Sequence, residues 1–410
     1  MKRIVLITKQ YPYSNREQFL DAELAYCGEN NIPIDIVCAF VGDGEGGHRE
    51  LPCGVRTVKK MNAGKMSLKT PLAFIKTIFS SVRAAEIKML KQEKRYNHLK
   101  GKRLFKFLLK AITIATEIER LYKKELASYP DNIILYSYWT EEAALAAAIL
   151  KQRYGCKAIS RIHGYDLYLE RHSECYLPFH RHMISSLSLV CPVSDTGRDY
   201  LLEKYGSRDN IRTQRLATVD YGITAESDGK FTVASCSNVI ELKRVGLIAE
   251  TMVKLDDEGV RWIHFGDGSL LNEVKKIASG QTKTECIIAG RVDHSSIFEY
   301  YKTHHIDLFI NVSTTEGLPV SIMEAASFGI PTVATDVGGT KEIVFDGVNG
   351  KLLPSDLSSD DLANAIKEQI NMTQQRREEQ SLNSRRIWFE SYEYRNTYGK
   401  FYDYILSKGF

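Results

Sequence analysis

Strand and helix signals alternate along almost the whole chain. Short apolar runs such as RIVLIT (3–8) and IPIDIVCAF (32–40) are typical of buried strands, and REQFLDAELAYCGENN (16–31) between them is typical of an amphipathic helix. A repeated strand–helix unit favours parallel sheets that carry helices on both faces, because parallel strands need a crossover connection. We therefore predict an α/β fold with doubly wound sheets.

The alternation is interrupted once, at ATVDYGITAESDGK (217–230), where glycine, serine, threonine and acidic residues replace the apolar periodicity. This composition is typical of a linker. We predict an N-terminal domain over 1–216 and a C-terminal domain over 231–387. The aromatic-rich tail, about 388–410, is expected to pack back on the N-terminal domain. Ligands of doubly wound sheets bind at the carboxyl ends of the strands, so we expect a ligand cleft between the two domains.

Particular runs predict further elements. NIILYSYW (132–139) and LVCPVS (189–194) are typical of strands, whereas HSECYLPFHRHMISSLS (172–188) favours a helix. The glycines of VGDGEGGHRE (41–50) favour a flexible loop, since no nucleotide-binding turn surrounds them.

Several protein classes are excluded by length and composition. A chain of 410 residues is too long for one ordinary core, and it contains no apolar run of about 18 residues that could span a bilayer. The start, MKRIVLITKQYP, predicts a first strand, because its apolar run is short and no small-residue cleavage site follows. Eight scattered cysteines without a C-x-x-C pair favour reduced thiols in a cytoplasmic protein.

Positive charge is concentrated in one segment. Residues 59–110 hold fifteen Lys or Arg and two acidic residues, a net charge of +13 in a chain whose total is +4. Apolar residues at helical spacing among these lysines are typical of a helix on an anionic membrane surface. The alternative is an ordinary core-facing helix with a solvated basic face. We expect no nucleic-acid partner, because no nucleic-acid motif accompanies the segment.

The stretch STTEGLPVSIMEAASFGIPTVAT (313–335) places two carboxylates eight residues apart. Pro319 and Gly329 bracket a short helix that follows a strand, so its first backbone amides lie at the carboxyl edge of a sheet, where they attract anions such as phosphate. Glu316 precedes those amides, and Glu324 lies among apolar residues, where a carboxylate needs a hydrogen-bonding partner. A vicinal diol, such as that of a ribose, suits this role.

These residues resemble a known family. EGLPVSIMEAASFGIPTVAT (316–335) is similar to the E-x7-E element of the family 4 retaining glycosyltransferases, and GGTKEIVFDGVNGKLL (338–353) to the segment that follows it. SNVIELKRV, FGDGSLLNEVKK, IIAGRVDHSSIFEYY, RIHGYDLY and CPVSDTGRDYL also occur in the family's order. The resemblance implies the GT-B fold, in which two Rossmann-like domains face each other across a cleft. The N-terminal domain would bind the acceptor, and the C-terminal domain would bind a nucleotide sugar.

The resemblance also implies roles for the donor site. Glu324 is expected to bind the nucleotide ribose, and Glu316 to hold the donor sugar and its phosphate. The backbone amides of Gly317, Leu318 and Val320 would assist Glu316.

A lysine and a loop complete the implied donor site. Lys243 corresponds to the lysine that neutralises the donor diphosphate. The family has an arginine five positions earlier, where this chain has Asn238, so Arg244 is the candidate replacement. The loop at Arg291 and Val292 resembles the one whose backbone pairs with the nucleobase.

In the N-terminal domain, His163 follows a predicted strand and matches the family's histidine beside the donor sugar and acceptor. Asp166 would orient it or bind the acceptor. The start of the chain resembles bacterial surface-polysaccharide enzymes in its sequence pattern YPY…E-x-F-L-x-x-E-L. Arg16 and Glu17 are therefore candidate acceptor contacts.

The implied function is transfer of a sugar, with retained configuration, from a UDP- or GDP-sugar to a glycan or lipid-linked acceptor in surface-polysaccharide assembly. Neither a cofactor nor a metal is expected, since no metal-ligand cluster is visible. A second interpretation is a sugar-nucleotide epimerase on the same fold. A third is a non-catalytic partner that binds a sugar nucleotide or glycan for another transferase, which Asn238 favours. A lipid-linked acceptor would place the protein at the cytoplasmic face of a membrane.

Overall fold

The computed structural model describes residues 2–14, 17–42, 49–66, 71–78, 80–280 and 283–407. The chain divides into two compact units. The first unit comprises Met1–Gln214 and Phe401–Phe410, and the second comprises Arg215–Lys400.

The first unit is built on a parallel sheet. Its six strands in the described residues are β1 (Arg3–Thr8), β2 (Ile34–Cys38), β3 (Val55–Lys60), β4 (Ile133–Ser137), β5 (Lys157–Ile162) and β6 (Leu189–Pro192). The spatial order is β3-β2-β1-β4-β5-β6, and every pairing is parallel. β1 is central and apolar, with Ile4 to Ile7 at most 1% exposed. A strand covered on both faces must be apolar throughout, which explains the RIVLIT run.

Nine helices surround this sheet in the described residues. They are α1 (Leu20–Glu29), α2 (Ala63–Met66), α3 (Pro71–Ile78), α4 (Ser81–Gln92), α5 (His98–Ser128), α6 (Glu142–Tyr154), α7 (Gly164–Leu167), α8 (His180–Ser186) and α9 (Asp195–Tyr205). The alanines of α6 are buried within the same core cluster as the apolar face of α5. Small side chains let two helices approach closely, so the Ala-rich run lets α6 pack tightly against α5.

The second unit repeats the architecture. Its strands, six among the described residues, are β7 (Thr232–Cys236), β8 (Arg261–Phe265), β9 (Glu285–Gly290), β10 (Leu308–Asn311), β11 (Thr332–Thr335) and β12 (Gly350–Leu353). They lie in the order β12-β11-β10-β7-β8-β9, again parallel. The helices are α10 (Val245–Lys254), α11 (Leu271–Ala278), α12 (His294–Thr303), α13 (Val320–Ser327), α14 (Ser359–Ile370), α15 (Gln374–Ser391) and α16 (Tyr394–Leu406). The predicted α/β class with two doubly wound Rossmann-like sheets is confirmed.

The division between the units differs from the predicted boundaries. Residues 217–230 count with the second unit, and the tail divides at Lys400, within α16. Trp388 explains the difference, because its indole N–H donates to the Thr218 hydroxyl at 2.7 Å. Tyr392 donates to the Glu342 carbonyl at 2.6 Å. These hydrogen bonds hold the start of the tail within the second unit, whereas Phe401 onward belongs to the first unit.

Two predicted elements of the first unit need correction. Lys59 and Lys60, the first residues of the basic segment that was predicted to be helical, are the last two residues of strand β3 (Val55–Lys60). In the predicted helix 172–188, only His180–Ser186 is α-helical, because Pro178 precedes it and cannot donate in a helix interior.

The basic segment 59–110 divides into core and surface parts. Leu104, Leu108 and Leu109 on α5 are at most 3% exposed and belong to the core of the first unit. Ile75 and Ile78 on α3 are 52% and 43% exposed. Phe79 lies outside the described residues. The interpretation as a core-facing helix with a solvated basic face therefore applies to α5, whereas α3 has exposed apolar side chains. Across the described residues, no helix combines the length and apolar character needed to cross a bilayer.

A buried ion pair fastens the end of the tail to the first sheet. Arg161 Nη2 and Glu23 Oε2 lie 3.1 Å apart, with both side chains at most 1% exposed. The hydroxyls of Tyr136 and of Tyr402, from α16, each donate to Glu23 Oε1 at 3.0 Å. Buried charges persist only when such partners replace water. Glu23 therefore joins α1, the sheet and the last helix.

We predict that Glu23→Gln destabilises the first unit by about 3 kcal/mol, because it leaves the Arg161 charge buried without a counterion. Urea unfolding followed by circular dichroism measures the change. Glu29→Gln, at an exposed position of the same helix, is the matched control and should change stability by less than about 0.5 kcal/mol. Equal stability of Glu23→Gln and wild type would contradict the assignment.

Candidate active site

Two loops at the carboxyl edge of the second sheet bring a lysine to a glutamate. The turn after β7 carries Lys243, and the loop after β10 carries Glu316. Lys243 Nζ lies 2.5 Å from Glu316 Oε1, and the Asn311 side-chain amide donates to the same oxygen at 3.3 Å. The Lys243 and Glu316 side chains are 20% and 11% exposed. The structure thus joins two residues 73 positions apart that the sequence assigned to one site.

The Gly-Gly turn fixes the backbone at Glu316. Gly338 has φ +55°, and a Cβ placed there would lie 2.0 Å from the Glu316 carbonyl oxygen. The Gly339 N–H donates to the Gly317 carbonyl at 2.9 Å. Only glycine permits both this backbone conformation and this close approach. The GGTKEIV segment therefore holds the loop that carries Glu316.

The helix that follows presents its first amides at this edge. Pro319 is the N-cap residue of α13, which begins at Val320. The Pro319 carbonyl accepts hydrogen bonds from the Ile322 and Met323 amides. The amides of Val320 and Ser321 occupy the first turn, where a helix has no internal acceptor to offer them. Leu318 is 6% exposed, and Gly317 is half-buried. This end of the helix can receive an anion.

Glu324 lies in the second turn of α13 and is paired with a histidine. His294 Nε2 is 2.7 Å from Glu324 Oε1, and the side chains are 33% and 9% exposed. Cys236, at the end of β7, is a close electrostatic neighbour of both Glu324 and Lys243. Burial, with Glu324 adding to it, raises the pKa of the Cys236 thiol to about 12. Glu324 therefore belongs to the same edge as the Lys243–Glu316 pair, beside a neutral thiol.

The remaining donor-site candidates fall into two groups. Asn238 and Arg291 are exposed and Val292 is half-buried, so the loops after β7 and β9 are accessible to a ligand. Arg244 has backbone partners. Its Nε donates to the Val312 carbonyl at 2.6 Å, and its Nη1 to the Ser355 carbonyl at 2.7 Å. These two hydrogen bonds hold the guanidinium against the loop after β10, so Arg244 supports that loop.

At the carboxyl edge of the first sheet, His163 follows β5 and is 7% exposed. Its Nε2 lies 3.1 Å from the Tyr138 carbonyl oxygen. Burial, with a contribution from Arg161, lowers the pKa of His163 to about 3. The imidazole is therefore neutral near pH 7, so Nε2–H donates to the carbonyl and Nδ1 carries the lone pair. The Trp139 ring centroid is 4.4 Å from that of His163.

Asp166 and Glu17 do not match their predicted acceptor contacts. Asp166 is fully buried, and its two carboxylate oxygens accept the backbone N–H groups of His163, at 2.7 Å, and Thr140, at 2.5 Å. Burial, with Glu141 adding to it, raises the pKa of Asp166 to about 7. Asp166 fixes the backbone of His163 and leaves no exposed oxygen for an acceptor.

Glu17 is 1% exposed and accepts four hydrogen bonds. The donors are the amides of Lys9, Gln10 and Tyr11, at 2.7 to 3.1 Å, and the Trp139 indole N–H, at 2.8 Å. Together these bonds tie the loop after β1 to the loop after β4. Arg16 lies outside the described residues.

Sequence reasoning missed Lys9 and Glu141 in the first unit. Lys9 forms an ion pair with Glu141, and its Nζ lies 4.6 Å from the centroid of the Trp139 ring. Both residues closely follow strands, which is the sequence signal that could have indicated them. His294, the partner of Glu324, was missed in the second unit although it belongs to the quoted IIAGRVDHSSIFEYY run. Among the described residues, no group of three His, Cys, Asp or Glu side chains could hold a metal ion.

The chain matches known glycosyltransferases. Residues 230–371 match the family described as Glycosyl transferases group 1. The match covers about a third of the chain and lies within the second unit. The resemblance drawn from the E-x7-E element is therefore confirmed for the second unit.

Curated relatives match different lengths of this chain in sequence. A Streptococcus pneumoniae protein named UDP-N-acetylglucosamine–peptide N-acetylglucosaminyltransferase GtfA subunit is 26% identical over 188 residues, 43% of this chain and 36% of that protein. Bacillus subtilis TuaC, named a putative teichuronic acid biosynthesis glycosyltransferase, is 23% identical over 256 residues, 59% of this chain and 62% of its own. This chain therefore spans about a third of the pneumococcal relative and well over half of the Bacillus protein.

Solved structures share the fold over nearly the whole chain. Anabaena HepE in complex with UDP has a TM-score of 0.67 at 16% identity and covers 99% of this chain and 100% of its own. Sucrose-phosphate synthase from Thermosynechococcus elongatus has a TM-score of 0.73 at 13% identity, covering 99% of each chain. At such identities the likeness concerns the fold, which is the predicted GT-B type.

Proposed function

We propose that the protein is a retaining glycosyltransferase that moves a sugar from a nucleotide-diphosphate donor to a glycan or lipid-linked saccharide in surface-polysaccharide assembly. The observation that carries this proposal is the convergence of Lys243, Glu316 and Glu324 at one sheet edge, next to the first turn of α13. A cation, two carboxylates and free helix-end amides suit a ligand that joins an anionic diphosphate to hydroxyl-rich sugars.

Each group has a distinct chemical task. Cleavage of the bond between sugar and phosphate builds negative charge on the leaving diphosphate. The Lys243 ammonium stabilises this charge, together with backbone amides at the start of α13 and in the loop just before it. The amides are those of Gly317, Leu318 and Val320. Glu316 accepts hydrogen bonds from the transferred sugar, and Glu324 accepts them from the ribose. Asn238 contributes no charge, so this chain holds the diphosphate with fewer cations than the family pattern implies.

The acceptor hydroxyl attacks from the face of the leaving group, which retains the anomeric configuration. A diphosphate oxygen takes the hydroxyl proton, and no metal takes part. His163, neutral because it is buried, offers a hydrogen-bonding nitrogen to the reacting sugars without adding a charge.

A uridine or guanosine diphosphate sugar is the proposed donor. Anabaena HepE forms complexes with UDP, with UDP and glucose, and with UDP-glucose. The names of TuaC and of Erwinia amylovora AmsK place those relatives in teichuronic acid and amylovoran biosynthesis. Both observations support a nucleotide sugar and a surface glycan as substrates. The exposed loop of Arg291 and Val292 would meet the base through its backbone.

A second candidate function is a non-catalytic subunit that binds a sugar nucleotide for another transferase. The uncharged Asn238, together with the engagement of Arg244 by backbone carbonyls, favours it. Such a protein would bind nucleotides without turning them over.

Turnover of nucleotide sugars tests these candidates. We expect the full chain to release nucleoside diphosphate from one member of a panel of UDP-, GDP- and ADP-sugars when a lipid-linked saccharide acceptor is present, and to do so in EDTA. Release without any acceptor would favour the epimerase interpretation. Binding without release would favour the partner subunit, and neither binding nor release would reject the proposal.

Substitutions at the two glutamates should have different effects. Glu324→Ala removes charge-assisted hydrogen bonds to the ribose, so nucleotide affinity should fall at least about tenfold in calorimetric titration. Glu316→Ala should lower kcat about 100-fold, as expected for one preorganised polar group, with a smaller effect on nucleotide affinity.

Glu299→Ala, at an exposed position of α12, is the matched control and should behave as wild type. Wild-type kcat and affinity in both active-site variants would contradict the assigned roles.

We propose further that the protein docks on an anionic membrane through α3 and α4. Ile75 and Ile78 are exposed on α3, and a shallow groove beside them is lined by Arg83, Lys88 and Lys91. Exposed apolar side chains within a basic surface suit the headgroup region of an anionic leaflet. Docking would bring the enzyme to the plane of a lipid-linked acceptor.

Charge reversal on α4 should abolish this docking. We expect Lys88→Glu/Lys91→Glu to sediment with phosphatidylglycerol-containing vesicles at least tenfold less than wild type, since each basic residue near such a surface contributes about 1 kcal/mol. The matched control is Lys275→Glu/Lys276→Glu on α11, which makes the same charge change at exposed positions of the second unit. Equal sedimentation of all three proteins would rule out this surface.

A further inference from the structure

A histidine touches the carboxylate assigned to the nucleotide ribose. His294 is the first residue of α12, and its Nε2 lies 2.7 Å from Glu324 Oε1. The side chain is 33% exposed, so the histidine stands where a ligand of Glu324 would also reach. Neither the spacing of the E-x7-E element nor the role of Glu324 requires a histidine there.

The ring of His294 is held from its own helix. Its centroid lies 4.4 Å from that of Phe298, one turn along α12. Tyr221 stacks on Phe298 at 3.8 Å, and Phe328, directly after α13, lies within 6.1 Å of it. This aromatic packing gives the imidazole a fixed support. The orientation of the ring is therefore set before any nucleotide arrives.

The hydrogen bond also fixes the carboxylate. An ionised carboxylate only accepts hydrogen bonds, so the His294 nitrogen at 2.7 Å is the donor and carries the proton. Within the part of the chain that the structure describes, Glu324 Oε2 makes no hydrogen bond. Each carboxylate oxygen has two acceptor positions. Oε2, and the second position on Oε1, thus remain for two neighbouring hydroxyls.

We propose that His294 is a positioning residue for nucleotide recognition: by holding Oε1 it orients the Glu324 carboxylate toward the vicinal hydroxyls of the ribose. This inference rests on the proposed role of Glu324 in nucleotide binding. Without the imidazole, the carboxylate of a long side chain turns freely about its last bond. Each ribose contact must then immobilise it, which weakens those contacts.

The competing explanation is that His294 only ties α12 to α13. The two explanations predict different effects of losing His294 on the contribution of the ribose hydroxyls to nucleotide affinity. Loss of a purely structural link would weaken binding of every nucleotide by the same factor. Loss of a positioning contact would weaken only the contribution of the ribose hydroxyls. The ratio of affinities for a ribonucleotide and its 2′-deoxy analogue therefore separates them.

Calorimetric titration of the full chain measures this ratio with UDP against 2′-deoxy-UDP and with GDP against 2′-deoxy-GDP. We expect wild type to prefer the ribonucleotide about tenfold, because a hydroxyl bonded to a charged acceptor is lost in the analogue. His294→Ala should reduce the preference to about twofold. His294→Gln, whose amide N–H can still reach Oε1, should restore most of it. His304→Gln, at the exposed end of the same helix, is the matched control and should retain it.

The outcomes are distinguishable. A wild-type preference in His294→Ala would overturn the positioning role while leaving the nucleotide site intact. Equal weakening of ribonucleotide and deoxynucleotide would assign His294 to structure alone and would also overturn the inference. Absence of nucleoside diphosphate binding in wild type would overturn the proposed function and this inference together.

Discussion

The second unit depends on the contact between the Gly-Gly turn and the loop of Glu316. Gly338 lies so close to the Glu316 carbonyl that no side chain fits, and Gly339 donates to Gly317. These two contacts fix the backbone that follows β10. Glu316 can then meet Lys243, which the turn after β7 supplies, and α13 can begin directly behind it. The lysine, the two carboxylates and the first amides of α13 therefore lie at one edge of the sheet.

Both glutamates have partners within the chain, Lys243 for Glu316 and His294 for Glu324. Largely buried carboxylates need such partners, because leaving them bare in a low dielectric is costly. A bound diphosphate would share the Lys243 ammonium with Glu316, and a ribose would join His294 on Glu324. The two pairs therefore hold the glutamate side chains in place, which lowers the entropy cost of ordering them when a ligand binds.

The first unit uses its polar residues differently. Glu17 and Asp166 were predicted to contact an acceptor. In the structure their carboxylate oxygens accept hydrogen bonds from backbone amides in the loops after β1, β4 and β5. A sequence motif alone cannot distinguish a carboxylate that contacts a ligand from one that holds backbone amides, since both roles need a carboxylate near the end of a strand. Asp166 holds the backbone of His163, and Glu17 holds the Trp139 ring. Accessible polar groups at this edge come instead from neighbours such as Lys9.

The sequence by itself determined the α/β class, most strands, the helix bracketed by Pro319 and Gly329, and the spacing that puts Glu316 just before that helix and Glu324 within it. These features depend on local periodicity, turn residues and short spacing, which one segment encodes alone. Only the tertiary structure decided that Arg244 supports a loop, that His294 meets Glu324, that Leu104 and Leu108 are core residues, and where the tail divides. Each of these outcomes depends on contacts between residues far apart in the chain, and burial and hydrogen-bond partners exist only once the sheets have formed.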